Sequence, residues 1–314
     1  MIPVSLTSQL ANAADTEINR ILRIGATACK QSKPTGEVGF VAAFVLGAVP
    51  AIAAAWRPIL SPAGYSVSMT GIFCHQTPRA TFTNSAGLTK SCELSDLLVV
   101  VDDMTSGVPT SRWAVLIQAK MAASHGGQSL SGAGDLTQLD LMTHWPAFSL
   151  PSTFPPGARN LSTCSYSGTN LDCGRYGLIE PQPTPLWHQQ APAPKMPAGG
   201  DELGTFLAKM LESGQTGYGR EATGRFDDWS RTVDDLMNVT AKTAFTYSAG
   251  LKGPHPRGNT AIALVVCNPS GSDFTNGYWM RDTPPSGGDP ESPDDDSDAE
   301  GMSFVHIGVL RKEE

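Results

Sequence analysis

Two apolar runs in the middle of the chain have the hydrophobic pattern of buried strands. The first, ELSDLLVVVDD, is rich in Leu and Val, and the second, RWAVLIQAKMA, follows after the turn residues MTSGVPTS. We expect the two runs to form an antiparallel hairpin with a long loop. Strands buried on both faces are nearly continuous in Val, Ile and Leu, so Asp96, Gln118 and Lys120 stand out. An unpaired charge in such a position costs several kcal/mol, and something must offset that cost.

The remaining pattern mixes helical and strand-like segments. Apolar spacing and capping signals indicate helices over residues 5–30, from Glu37 to the SPAG segment, over DLTQLDLM, over 201–214 and over FDDWSRTVDDLMNVTAKTAF. Strands are indicated by YSVSMTGIFCHQ, NTAIALVVCN and MSFVHIGVLRK. The segment TFTNSAGLTKS has the composition of a polar connection. The predicted fold class is therefore α/β, with a mixed central sheet flanked by helices and with additional C-terminal helices and strands.

Residues 38–56, VGFVAAFVLGAVPAIAAAW, are 19 residues without a charge, which is about the length of a membrane-spanning helix. Seven of them are Ala, which contributes little to insertion, and Gly39, Gly47 and Pro50 interrupt the run. We expect a buried helix and no membrane partner. A protein anchored through this segment is the alternative.

The net charge of −8 comes mostly from one segment. Seven acids lie between Asp289 and Glu300, and without them the net charge is −8 + 7 = −1. The whole-chain charge gives no support to nucleic-acid binding, so only a local basic site could provide it. We expect residues 283–301 to form a disordered acidic loop. It either only improves solubility or shields a nucleic-acid groove.

Six cysteines are scattered through the chain without a CxxC pair. The first 20 residues lack the basic and apolar regions of a secretory signal. Both features favour a cytoplasmic protein with reduced thiols. Cys164, Cys173 and His188 suggest zinc only weakly, because a fourth ligand is not evident.

The two central runs bring candidate metal chemistry together. Gln118 and Lys120 are two residues apart and share one face of a strand, and Asp96 lies on the preceding strand. A carboxylate, an amide oxygen and the backbone carbonyl of Ala119 suit Mg²⁺ or Mn²⁺. Lys120 would then orient a metal-bound water or stabilise charge on a phosphate.

This pattern resembles the PD-(D/E)xK nuclease superfamily, which has the restriction-endonuclease-like fold. The resemblance covers about residues 36–145. Asp96 matches the Asp of the motif, Gln118-Ala119-Lys120 matches its (D/E)xK element, and Glu37 matches an upstream helical Glu. Gln118 replaces the usual acid and Ser95 replaces the usual Pro.

The resemblance implies a Mg²⁺- or Mn²⁺-dependent nuclease that hydrolyses phosphodiester bonds, with DNA as the first choice of substrate. It further implies an effector of a bacterial anti-phage or restriction system that acts with a companion protein or as a homo-oligomer. By the same resemblance, Gln138 could reach the site from the following helix. Arg220 and Arg225 could contact a nucleic-acid backbone.

Two alternatives stay open for the hairpin. One is a catalytically inactive subunit that keeps the nuclease fold for interactions, and the other is an ordinary hairpin with the three polar residues in solvent. We expect Asp102 and Asp103 to end their strand in solvent. Glu93 is either a site residue or an edge residue.

The chain is divided on this basis into three segments. They are an N-terminal helical segment over 1–35, the nuclease-like core over 36–150 and a C-terminal extension over 151–314 that packs on the core.

Overall fold

The computed structural model describes residues 2–27, 31, 33–74, 78–122, 127–161, 170–181, 184–212, 217–224, 227–249, 262–267, 279–280 and 301–311. Over these ranges the protein is a mixed α/β structure with a ten-stranded central sheet and helices on both of its faces. The predicted α/β class with a flanked, mixed sheet is confirmed at this level.

Six α-helices lie in the described ranges. They are α1 (Val4–Ile24), α2 (Gly36–Ala43), α3 (Val49–Leu60), α4 (Ala133–His144), α5 (Leu203–Met210) and α6 (Asp228–Ala249). A π-helical turn, Phe44–Ala48, joins α2 to α3, so the two helices are continuous. Gly47 in this turn permits close packing, since a Cβ there would lie 2.7 Å from Ile21 Cγ2 of α1.

Fifteen strands are described. They are β1 (Tyr65–Cys74), β2 (Arg79–Thr83), β3 (Thr89–Glu93), β4 (Leu97–Thr105), β5 (Val108–Met121), β6 (Gln128–Ser129), β7 (Phe148–Ser149), β8 (Gly174–Glu180), β9 (Leu186–Gln190), β10 (Lys195–Met196), β11 (Asp201–Glu202), β12 (Arg220–Glu221), β13 (Ile262–Cys267), β14 (Trp279–Met280) and β15 (Ser303–Arg311).

The central sheet has the order β11-β9-β8-β5-β4-β15-β1-β13-β14, and β12 also pairs with β5. The predicted hairpin is β4–β5, antiparallel, with Leu97 opposite Ile117. Two pairs are parallel, β5 with β8 and β4 with β15. The last described strand therefore lies between β1 and β4, in the middle of the sheet.

Each face of the sheet has its own hydrophobic core. Leu97, Val99 and Val101 of β4 belong to the core formed with α1, α2, α3 and α5. Leu98 and Val100 belong to the core formed with α4, α6 and the small sheet β3-β2-β7. Burial on both faces explains why β4 is almost continuously apolar.

Two predicted boundaries differ from the structure. The supposed polar connection TFTNSAGLTKS contains most of the β2–β3 hairpin, whose turn is organised by Asn84. In β2 only Ala80 and Phe82 are buried, so polar residues on the exposed face hide the strand pattern. The helix predicted over 201–214 is confined to α5, because Asp201 and Glu202 pair with β9 as β11.

The candidate membrane segment packs against the sheet. In the described residues, the helical stretch Gly36–Ala63 is long and apolar enough to cross a membrane, and 72% of its most apolar window is buried inside the fold. This burial agrees with the predicted core helix.

Candidate functional site

Asp96 and Gln118 meet at one end of the β4–β5 hairpin. Asp96 immediately precedes β4, and its backbone N–H donates to the carbonyl of Ile117 at 3.1 Å. Its Oδ2 accepts hydrogen bonds from the backbone N–H of Ala119 at 2.7 Å and from Gln118 Nε2 at 2.5 Å. The carboxylate is therefore fixed against the QxK element of β5.

Lys120 lies between two carboxylates that come from helix N-termini. Its Nζ is 3.0 Å from Asp135 Oδ1 in the first turn of α4 and 4.0 Å from Glu37 Oε2 in the first turn of α2. Glu37 Oε1 also accepts the backbone N–H of Met121 at 3.0 Å, which fixes it to the end of β5. Lys120 is largely buried, with 16% of its side chain exposed, so these ion pairs offset the cost of burying it.

Gln138 connects α4 to the same site. Its Nε2 donates to Gln118 Oε1 and, at 3.2 Å, to the backbone carbonyl of Glu93. Both glutamine side chains are buried. The oxygen of Gln118 thus faces Gln138 and its nitrogen faces Asp96, while the carbonyl of Ala119 lies 3.3 Å from the same nitrogen.

The site has more negative than positive charge. Four carboxylates, those of Glu37, Glu93, Asp96 and Asp135, lie around the single ammonium of Lys120. Burial, followed by the charges of Glu93 and Glu37, raises the pKa of Asp96 well above its usual value. Burial lowers the pKa of Lys120, but Glu37 and Asp135 outweigh that effect and the net shift is upward. Lys120 is therefore a fixed cation at neutral pH.

Tyr176 extends the site from β8. It lies opposite Gln118 in the parallel β5–β8 pair and is fully buried. Its hydroxyl has no hydrogen-bond partner among the described residues. Burial, and then the charges of Asp135, Cys92 and Asp96, raise its pKa, which shows that the hydroxyl is near the carboxylates of the site. A buried polar group of this kind calls for a water or a ligand.

The donor set fits a divalent cation in part. Asp96 accepts its described hydrogen bonds through Oδ2, which leaves Oδ1 for an ion, and the carbonyl of Ala119 lies beside it. The excess of carboxylates and the orphaned Tyr176 hydroxyl also suit a hydrated cation. As the side chains stand, however, no three His, Cys, Asp or Glu residues in the described ranges are close enough to share an ion. Loading would require Glu37 or Asp135 to turn from Lys120.

Three predicted positions lie elsewhere. Arg220 does not face solvent as a backbone-binding residue should, since it is 2% exposed and its Nη1 lies 3.4 Å from the carbonyl of Leu161 and 3.6 Å from Cys173 Sγ. The run GQTGYGREATGR gave no sign of this burial, which results from the pairing of β12 with β5. Arg225, Cys164 and the acidic segment 283–301 lie outside the described residues.

Asp102 is not a solvent-exposed strand end. It is fully buried at the opposite end of β4, where Arg112 Nε and Nη2 donate to its two oxygens at 2.7 and 2.8 Å. His306 Nε2 lies 2.9 Å from its Oδ2, and Arg112 Nη1 donates to Asp234 of α6 at 2.6 Å. His306 belongs to β15, so the sequence near Asp102 contains no sign of this partner.

Sequence reasoning also missed Asp135 and Tyr176. Asp135 stands at the start of an amphipathic segment, where an acid is expected for capping alone, and only the packing of α4 brings it to Lys120. Tyr176 depends on the β5–β8 pairing. Comparisons with family models, curated proteins and solved structures find no match to this chain.

Proposed function

We propose that this chain is a metal-dependent nuclease of the PD-(D/E)xK type with a restriction-endonuclease-like fold. The observation that carries the proposal is the contact between Asp96 and the Gln118-Ala119-Lys120 element at one end of a hairpin. The carboxylate of Glu37, the upstream Glu of the resemblance, lies 4.0 Å from Lys120 at the same end.

The order of elements supports the same assignment. The chain runs from the α2–α3 helix through β1, the Asp-bearing hairpin strand β4 and the QxK strand β5 to helix α4. After α4 it returns as β8, parallel to β5. The insertion of β15 between β1 and β4 is an addition to that order, and it leaves the β4–β5 pair intact.

Each side chain has a role that follows from its contacts. Asp96 Oδ1 and the carbonyl of Ala119 would hold Mg²⁺ or Mn²⁺, with Glu37 as a further oxygen ligand. The ion, when bound, supplies an activated water and neutralises charge on the phosphate. Lys120, a cation held by carboxylates, stabilises the negative charge that develops during hydrolysis. The Tyr176 hydroxyl positions water or a phosphate oxygen.

The local charge explains why a cation is needed before substrate. Four carboxylates around one lysine repel a polyanion, so DNA can approach only after a divalent ion has reduced the negative charge. We infer that the protein acts in the cytoplasm on DNA. An effector role in bacterial anti-phage or restriction defence, with a companion protein or a second copy, is part of the same proposal.

A second candidate function has a specific observation in its favour. The amide oxygen of Gln118 accepts from Gln138, and Lys120 is paired with Asp135, so both residues have protein partners without a ligand. A non-catalytic interaction subunit with the same fold would keep such contacts permanently.

A cleavage assay separates the two functions. Single- and double-stranded DNA and RNA are incubated with the wild type and with Asp96→Asn and Lys120→Met, in Mg²⁺, in Mn²⁺ and in EDTA. We expect metal-dependent cleavage by the wild type and a loss of about 10²–10³-fold in each variant. Lys195→Met, which changes an exposed lysine on β10, is the matched control and should retain activity. Equal rates in all proteins, or no cleavage under any condition, would favour the interaction subunit.

A further inference from the structure

A cavity of about 230 Å³ lies on the face of the sheet opposite to the candidate nuclease site. Its lining comes from β8, β9, β11 and α5 and from the segment before β12. The lining residues are Arg175, Gln189, Gln190, Ala191, Asp201, Phe206, Gly217 and Tyr218. The cavity is smaller than the pockets that hold drug-sized molecules, so it suits one small ring system.

Gln189 is the residue that points to a ligand. It is 6% exposed and lines the cavity. Neither its amide oxygen nor its amide nitrogen has a hydrogen-bond partner among the described residues. A buried amide that lacks both bonds is costly, and it is expected to meet a ligand or ordered water that offers a donor beside an acceptor.

Two aromatic rings and an arginine surround this amide. The rings of Phe206 and Tyr218 lie 5.4 Å apart, centroid to centroid. Arg175 uses Nη2 to bind Asp172 and the carbonyl of Gly217, while its Nε and Nη1 make no hydrogen bond to the described residues. The cavity thus offers aromatic surface, an amide edge and guanidinium donors.

The negative charge at the cavity is compensated within the protein. Asp201 receives Lys209 Nζ at 3.0 and 3.1 Å and the Tyr218 hydroxyl at 2.8 Å. Lys209 also donates to that hydroxyl at 2.7 Å and lies 4.8 Å from the centre of the ring. This network holds Tyr218 in place, and the paired carboxylate does not repel a ligand that carries a phosphate.

We propose that the cavity binds the adenine base of a nucleotide. A glutamine amide pairs through both of its atoms with the N6 donor and N7 acceptor of adenine, whereas guanine presents two acceptors along the corresponding edge. Base–aromatic contact with Phe206 and Tyr218 suits any nucleobase. Arg175 provides donors for a further acceptor on the ligand. The base comes either from a free mononucleotide or from a single strand.

The site is independent of the proposed nuclease activity. Arg175 and Tyr176 are neighbours on β8 but lie on opposite faces of the sheet, so the cavity and the carboxylate site are separated by the sheet itself. Binding can be measured in EDTA, where metal-dependent cleavage is absent. A failure of one proposal is then distinguishable from a failure of the other.

The test is isothermal titration calorimetry of the full chain with AMP, GMP, ribose 5-phosphate and a short oligo(dA) strand. We expect AMP or oligo(dA) to bind, GMP to bind roughly tenfold more weakly, and ribose 5-phosphate not to bind. Gln189→Met keeps the length of the side chain and should weaken binding by about tenfold. Gln9→Met, at an exposed position on α1, is the control and should bind as the wild type does.

Several outcomes would overturn the proposal. They are an absence of binding by both adenine compounds, equal binding of ribose 5-phosphate, equal binding of GMP, and full affinity in Gln189→Met. Because that variant removes unsatisfied polar atoms, it should fold at least as stably as the wild type, and thermal unfolding checks this. If only oligo(dA) binds, the base is supplied by a strand, and if AMP binds equally well, a free nucleotide suffices.

Discussion

Asp96 illustrates at the scale of single residues how a functional position works against stability. Burial and the charges of Glu93 and Glu37 raise its pKa, so its ionised form destabilises the fold at neutral pH. The described hydrogen bonds to its side chain end on Oδ2, and the amide oxygen of an asparagine can accept both. We expect Asp96→Asn to raise the free energy of unfolding at pH 7 by roughly 0.5–2 kcal/mol, measured by urea denaturation.

The pH dependence of this difference has a definite sign. Because the folded-state pKa is raised, the penalty in the wild type disappears as the pH falls through that value toward the unfolded value of about 3.9. The stabilities of the wild type and Asp96→Asn should therefore converge near pH 4. Asp140→Asn, which alters a surface pair with His144, should change stability by less than about 0.5 kcal/mol. A destabilised Asp96→Asn protein at pH 7 would contradict this account of the charge.

Tyr176 gives a second prediction at the same scale. Tyr176→Phe removes a buried hydroxyl that has no partner in the described part of the chain, so stability should hold or increase. If the hydroxyl positions water or phosphate, cleavage should fall about 10- to 100-fold. Cleavage rates and urea midpoints are measured together, with Tyr65→Phe as the control. Lost stability with unchanged cleavage would assign Tyr176 to packing alone.

The residue-level predictions differed in success for a physical reason. Asp96 and Gln118 could be associated from sequence because a hairpin makes their contact local and period-2 alternation gives their face. Asp135 and Tyr176 reach the site through a helix packing and a parallel pairing, which no local pattern encodes.

At the scale of elements, the β4–β5 hairpin has polar residues at both ends, and they differ in kind. Burial raises the pKa of Asp102, but its hydrogen bonds to Arg112 and His306 prevail and the net shift is downward. Each charge at this end has an oppositely charged or hydrogen-bonding partner. This arrangement joins β4, β5, β15 and α6.

Asp102→Asn should destabilise the fold by roughly 3–5 kcal/mol, because it breaks a buried pair and leaves Arg112 uncompensated. Since the pKa of Asp102 is lowered on folding, its contribution is present above the unfolded value of about 3.9 and is lost as the pH falls through the folded value. The difference from the wild type should therefore shrink in acid. Glu17→Gln, in an exposed pair with Arg20, should cost less than about 1 kcal/mol. A cost for Asp102→Asn no greater than for Glu17→Gln would refute the buried role.

Elements with strong apolar patterns were predictable, and those with a polar face were not. The hairpin, the final strand and the buried helix after Glu37 agree with their patterns. The β2–β3 hairpin is at the edge of a small sheet, and its exposed residues diluted the signal.

The whole molecule depends on one long-range insertion. β15 pairs with β4 on one side and β1 on the other, so a strand from the 151–314 segment lies inside the sheet of the 36–150 segment. Parallel pairing across some 200 residues leaves no local trace in the sequence, and the three-segment division of the chain remains a prediction.

A substitution within β15 should therefore destabilise the entire fold. Ile307 is fully buried, and Ile307→Ala should cost roughly 2–5 kcal/mol. The urea midpoints of tryptophan fluorescence and far-ultraviolet circular dichroism should shift together, since one cooperative unit contains the central strands. Val108→Ala, at an exposed position, should leave both midpoints in place. Separate transitions for the two signals would show that β15 is not integral to a single core.

The most direct test of the central claim is a calorimetric titration of Mn²⁺ into the chelator-treated protein and into Asp96→Asn. The account predicts a saturable site for a divalent ion in the wild type that is lost or weakened at least about tenfold in the variant. No binding by the wild type, or equal binding by both proteins, would contradict the claim that Asp96 and the Gln118-Ala119-Lys120 element form a metal site.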